Sequence, residues 1–215
     1  MSAVAPERER MVLSAFEQAR VVPVVSVDDA AVVGDLCAAL LAGGISCVEI
    51  TFRTGAAAEA LARAAEVDGM LVGAGTVLAV EQARTAVEAG AAFAVAPGTD
   101  DEIVSVCGEL GLPFFPGVAT PSELGHAVRL GCTTVKVFPA ATIGGPAFLR
   151  AVSATFPQVR FVPTGGIDGD SLASYLAVPA VVACGGSWTC EPGLIRERRF
   201  EEIARRARAA TETAR

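Results

Sequence analysis

Lysine is nearly absent from this chain. Lysine and arginine together number 17 among 215 residues, and all but Lys136 are arginine. Histidine is as scarce, with His126 standing alone. One histidine gives little basis for a His-based zinc or iron centre, so no metal is expected. A Ser-His-Asp triad would have to use His126, which falls inside a helical pattern and reads as an ordinary exposed or half-buried helix residue. Excess positive charge is missing too. The 24 acidic residues outnumber the 17 basic ones, for a net charge of −7. That balance argues against a nucleic-acid partner, because phosphate neutralisation dominates such affinity. The tail at 196–215 mixes seven arginines with four glutamates, the pattern of a solvated helix face.

Long apolar runs are lacking as well. None reaches the length of a membrane span without polar interruption. The first twenty residues carry Glu7, Glu9 and Glu17 among their arginines and have no long apolar core, so they do not read as a secretory leader. The six cysteines, Cys37, Cys47, Cys107, Cys132, Cys184 and Cys190, contain no C-x-x-C pair. Reduced thiols in a cytoplasmic protein are expected.

What is present is a rhythm. Short apolar, β-branched runs occur at Val21–Val25, Cys47–Phe52, Met70–Ala74, Phe93–Ala96, Pro113–Gly117, Thr133–Phe138, Arg160–Thr164 and Ala180–Cys184. Segments of helical spacing lie between them, from Asp29–Ala42 through Pro146–Phe156, with Pro6–Ala19 leading and a last helix from Phe200. Strand and helix alternate at intervals of roughly 20 to 25 residues, the pattern of a parallel sheet. No Pro/Ser-rich linker divides the chain. The expectation is a single-domain (β/α)8 TIM barrel over residues 1–215, with an extra N-terminal helix at 1–19, the barrel at 20–195 and a C-terminal helix at 196–215. A doubly wound open sheet would call for a Gly-rich turn after the first strand, and "VPVVSVDDAA" has no glycine.

Side chains alternate faces along a strand. In "TTVKVFP", Val135 and Val137 share the face suited to helices, and Lys136 points inward with Thr134 and Phe138. In "CVEITFRT", Cys47, Glu49, Thr51 and Arg53 share one face. A carboxylate, an amine and a guanidinium thus converge on one barrel mouth. A buried Glu49–Lys136 ion pair without chemistry is the competing reading, although such a pair is a weak source of stability. Arginine replaces lysine everywhere else, so a retained lysine suggests a need for an amine that can lose its proton. Such an amine attacks a carbonyl to form a Schiff base.

Two Gly-rich turns, "PTGGID" and "CGGSWT", follow the last two predicted strands. Loops in those places hold phosphate in many barrels, and glycines let backbone amides approach an anion. Ordinary tight turns use the same residues. A third turn, "VGAGTV", presents Thr76 at the mouth, and Pro97 stiffens the exit of the fourth strand.

The strings "RVVPV", "GGISCVEITFRT", "VGAGTVL", "FAVAPG", "FFPGVATPSE", "VKVFPA", "VRFVPTGGI" and "GGSW" resemble, in order and over most of the chain, the 2-keto-3-deoxy-6-phosphogluconate (KDPG) aldolase family. That family includes the bifunctional 4-hydroxy-2-oxoglutarate aldolases. The resemblance implies a metal-independent class I aldolase without cofactor, usually a homotrimer, acting on a small 2-keto-3-deoxy acid. It implies that Lys136 is the Schiff-base lysine and Glu49 the general acid and base. Arg53 and Thr76 would hold the pyruvyl carboxylate, and Arg20 would be a mouth arginine aiding anion binding. Gly165, Gly166, Gly185, Gly186 and Ser187 would form the phosphate loops, with Phe138, Pro97 and Thr164 as pocket wall. The exit "TCE" after "GGSW" departs from the family's usual apolar-proline pattern. A phosphate-binding barrel enzyme of another kind, or a non-catalytic barrel that binds a phosphorylated metabolite, are the alternatives. The complete Glu–Lys–Arg set argues against the latter.

Overall fold

The computed structural model describes residues 4–215. Helix α1 (Val4–Ala19) leads into β1 (Val21–Val25), then α2 (Val33–Ala42), β2 (Cys47–Thr51), α3 (Ala57–Ala65), β3 (Leu71–Gly75), α4 (Val80–Glu88) and β4 (Phe93–Val95). The second half runs α5 (Asp101–Glu109), β5 (Phe114–Phe115), β6 (Gly117–Val118), α6 (Pro121–Arg129), β7 (Thr134–Val137), α7 (Gly145–Thr155) and β8 (Arg160–Pro163). It closes with α8 (Leu172–Leu176), β9 (Cys184–Gly186), α9 (Pro192–Arg196) and α10 (Phe200–Thr213). The result is an α/β fold around a curled parallel sheet. One six-stranded section has the order β5-β4-β3-β2-β1-β9, and a three-stranded section has the order β6-β7-β8.

Local chemistry sets the boundaries. Asp100 Oδ1 accepts from the backbone amides of Glu102 and Ile103, both at 3.0 Å, at the start of α5. At α6, Thr120 and Glu123 form a reciprocal capping box ahead of Pro121. Helix α1 buries Val12, Leu13, Phe16 and Ala19 on one side, the spacing of a helix laid on a core. Phe16 completes a three-ring cluster with Phe93 and Phe115, their ring centroids 5.0 and 5.7 Å from its own and 6.2 Å from each other. Truncating a buried Phe in such a cluster costs about 3–5 kcal/mol.

Three expectations are corrected. The run Pro113–Gly117 becomes two short strands, because Pro116 has no amide to give the ladder; its carbonyl accepts from the Lys136 amide at 2.9 Å. The last strand is Cys184–Gly186 rather than Ala180–Cys184. Its ladder partner β1 starts at Val21, in register with Cys184, so regular pairing begins late and takes in the glycines. The C-terminal helix expected at 196–215 begins only at Phe200, where its helical spacing starts; Arg196 ends the separate short α9, and Arg198 between the two adopts φ 53°.

Candidate active site

Lys136 and Glu49 meet. The Lys136 ammonium nitrogen lies 2.9 Å from Glu49 Oε1 and 3.1 Å from Oε2. Lysine and glutamate are 6% and 3% exposed. Their strands, β7 and β2, belong to different sections of the sheet and are not neighbours, so the contact reaches from one section to the other, away from solvent. Val135 and Val137, on the opposite face, are fully buried among apolar side chains. The alternation in "TVKV" therefore divides the strand as its pattern implies.

The space for this pair is made by glycine. A Cβ on Gly75 would stand 2.3 Å from Glu49 Oε1, 2.5 Å from its Cγ and 2.8 Å from its Cδ. Gly75 of the G-A-G-T string thus serves the carboxylate, a role that the string alone does not reveal. Gly117, the register partner of Lys136 on β6, is bare for a different reason. A Cβ there would fall 2.1 Å from the Pro97 carbonyl carbon, so the chain after β4 passes close against β6, the strand next to the lysine strand.

Thr76 follows Gly75 at the C-terminal end of β3 and holds φ 57°, an uncommon conformation for a β-branched residue, with strain of about 1–3 kcal/mol. The flanking backbone is pinned: Phe52 N–H donates to Gly75 O at 2.8 Å and Val77 N–H to Val95 O at 3.1 Å. Arg53, two residues past β2, is exposed and has no ion-pair partner among the described residues. Ser26, just past β1, was not singled out by the sequence. Thr51 Oγ1 donates to Val25 O at 3.0 Å, so the 2.7 Å contact between Thr51 Oγ1 and Ser26 Oγ takes its proton from the serine. That leaves a serine oxygen with accepting lone pairs at the same end of the sheet.

The other glycines gather at the C-terminal ends of β8 and β9. Gly165 and Gly166 take φ 98° and 74°, which suits glycine. A Cβ on Gly165 would lie 3.2 Å from the Phe138 ring. Thr164 bridges to Gly185, and a Cβ at Gly185 would stand 2.3 Å from Thr164 Oγ1. Trp188 covers Gly186, with Cζ3 2.0 Å from where a Cβ would be. Ser187 is exposed. Phe138, Thr164 and these glycines form one neighbourhood, and Pro97 stands across the lysine strand from it.

Arg20 does not join them. It immediately precedes β1, at the N-terminal end of the parallel strands, with φ 60°. Its guanidinium donates to Leu176 O at 3.4 Å and Val182 O at 3.5 Å. Leu176 closes α8, where a cation complements the helix dipole. The expected mouth arginine is thus a fastener at the opposite end. His126, on α6, contacts Asp101 at 2.6 Å near the surface and is remote from this chemistry.

Comparison with known proteins agrees with this geometry. The aldolase model described as KDPG and KHG aldolase matches residues 12–206. A 2-dehydro-3-deoxy-phosphogluconate aldolase of Treponema pallidum is 45% identical over 193 residues, covering 89% of this chain and 92% of that protein. A KHG/KDPG aldolase of Escherichia coli is 40% identical over 195 residues, covering 90% and 92%. The crystal structure of KDPG aldolase from Legionella pneumophila, with pyruvate captured at low pH as a covalent carbinolamine intermediate, superposes with TM-score 0.88 at 38% identity, covering 92% and 97%. A family match over nearly the whole chain, around a buried lysine–carboxylate pair, leads to one conclusion: this chain belongs to the KDPG and KHG aldolase family.

Proposed function

We propose that the protein is a class I aldolase that cleaves KDPG to pyruvate and glyceraldehyde 3-phosphate, and 4-hydroxy-2-oxoglutarate to pyruvate and glyoxylate. The observation that carries the reading is the Lys136–Glu49 contact at 2.9 Å across the sheet interior. At that distance the carboxylate is the acceptor through which the ammonium gives up its proton. The free Nζ attacks the C2 ketone of the substrate, Glu49 passes that proton to the carbinolamine hydroxyl, which leaves as water, and a protonated imine forms beside a carboxylate that is again free to accept. Glu49, directly or through a water, takes the C4 hydroxyl proton. The C3–C4 bond breaks, its electrons pass into the iminium, and the aldehyde departs. Glu49 returns a proton to C3 of the enamine, and hydrolysis of the imine frees pyruvate and Lys136.

Arg53 and Thr76 hold the pyruvyl carboxylate in this reading. Arg53 brings an exposed, uncommitted guanidinium, and Thr76 is held by the backbone bonds on either side of it. Gly165, Gly166, Gly185, Gly186 and Ser187 hold the phosphate; their support is their convergence at two adjacent strand ends. Phe138, Pro97 and Thr164 form the wall. The finer architecture is a single (β/α)8 barrel domain with α1 across its N-terminal end. Supporting closure, Phe161 N–H donates to Ala180 O at 2.8 Å, Val182 N–H to Phe161 O at 3.0 Å, and Lys136 N–H to Pro116 O. A homotrimer is the assembly the resemblance implies, and Met11 and Leu78 are apolar side chains left 54% and 61% exposed. A cytoplasmic setting accords with six unpaired cysteines.

The test is to incubate the protein with pyruvate, reduce with borohydride and digest. A pyruvyl adduct on the Lys136 peptide is expected. A folded protein without that adduct would overturn the reading.

A further inference from the structure

The loop leaving β9 is held from outside the strand layer by one arginine. Cys190 N–H donates to Ser187 O at 3.0 Å, closing a tight turn. Inside this loop Thr189 and Cys190 are buried, at 0% and 1% exposure. The Trp188 ring lies over bare Gly186. The Trp188 carbonyl accepts from Arg206 Nη1 at 3.0 Å. The same nitrogen is 3.1 Å from Glu191 Oε1, and Arg206 Nε donates to Glu202 Oε1 at 2.8 Å. Two carboxylates and one carbonyl thus aim a single guanidinium at the residue whose ring sets Gly186. The unusual "TCE" exit supplies part of this clamp: its first two residues anchor the loop inward and Glu191 turns out to Arg206.

Arg206 is not what docks its own helix. Helix α10 buries Ile203, Ala207 and Ala210. Gly43 at the end of α2 comes so close that a Cβ there would stand 2.3 Å from Ala207 Cβ. Apolar contact therefore seats α10, and the arginine is free to serve the loop.

We propose that Arg206 is a positioning residue for the phosphate cradle, acting through Trp188 on Gly186 and Ser187, and that it sets the preference for phosphorylated over unphosphorylated 2-keto-3-deoxy acids. This rests on the aldolase reading above. A one-atom link of this kind is read in binding of the phosphate, not in the chemistry at Lys136.

The experiment compares KDPG with its unphosphorylated counterpart in the wild-type protein, Arg206→Gln and Arg206→Lys. Losing a charge-assisted hydrogen bond to the loop is expected to raise KM for KDPG about tenfold in Arg206→Gln. Its kcat is expected to stay within about threefold, and KM for the unphosphorylated acid to stay unmoved. Arg206→Lys keeps a cation within reach of Trp188 O and is expected to recover most of the difference. Equal rises in KM for both substrates, or no rise for either, would overturn the proposal. If Arg206→Gln is not recovered folded, Glu191→Gln answers in its place by the same comparison, and an unselective or absent shift there overturns it. A wild-type protein that releases no pyruvate from either acid would instead sink the aldolase reading. A wild-type protein that turns over both acids equally well would sink the phosphate cradle.

Discussion

Gly75→Ala isolates the placement of one carboxylate. The added methyl would sit 2.3 Å from Glu49 Oε1 and 2.5 Å from its Cγ. Non-bonded atoms settle near 3.5 Å, so the glutamate has to withdraw by roughly 1 Å. It has little freedom to do so without losing a contact with Lys136, since both oxygens engage the ammonium, at 2.9 and 3.1 Å. A misplacement of about 1 Å at a proton-transfer group costs roughly 10²-fold in rate, or about 2.7 kcal/mol of barrier. The overpacking itself costs about 1–3 kcal/mol of stability. That is a Tm loss of only some 2–12 °C in a chain of this size, so the fold survives. The expected result is kcat lowered about a hundredfold in pyruvate release, while borohydride still traps pyruvate on Lys136. The lysine is untouched, and only the proton shuttle has moved. A Gly75→Ala protein with kcat within threefold of wild type would refute the reasoning. Loss of the trapped adduct would show that the methyl reaches Lys136 as well.

Lys136→Met removes the partner of a carboxylate that is 3% exposed, which costs about 3–5 kcal/mol, or roughly 6–20 °C in Tm. Adding Glu49→Leu is expected to restore most of that loss in thermal melts, with no activity regained; a double mutant as unstable as the single would contradict the pair's burial cost. Hydrogen bonds from Arg205, then Arg206, hold Glu202 at about 2, below its ordinary 4.5. Because the folded value is depressed, this contribution to stability is complete above about pH 4.5 and is lost as pH falls toward 2. The Tm difference between wild type and Glu202→Gln is therefore expected to shrink through that window, and a difference constant with pH would be inconsistent with it. Burial pushes the Cys37 and Cys132 thiols up to about 11 and those of Cys47, Cys107, Cys184 and Cys190 up to about 12. At pH 8 a disulfide reagent is expected to label the native protein slowly and all six thiols after denaturation; rapid native labelling of Cys47 or Cys190 would show otherwise.

Much of this architecture was legible before folding. The alternation of β-branched runs with helical segments announced the parallel sheet, because period and composition are local properties. The lone lysine between two valines announced an inward amine, because a strand can only alternate. Boundaries were less legible. The late start of β9 depends on where β1 begins, and the break at Pro116 falls where the chain passes from pairing with β4 through β5 to pairing with β7 through β6. Arg20 shows the same limit: it stands next to an apolar strand run, but which end of that strand faces the chemistry is a property of the whole sheet.

Residue identity and two-residue periodicity determined which side chains point inward, and with them the amine, the carboxylate and the glycine-rich strand ends. Only the tertiary structure decided that Glu49 reaches Lys136 from a strand 87 positions away, that Gly75 is bare for the carboxylate's sake, and that Arg206 grips the loop beside Gly186. Contacts of that range are set by how a sheet curls and where helices dock on it. No local pattern records a distance between segments that are neighbours only after folding.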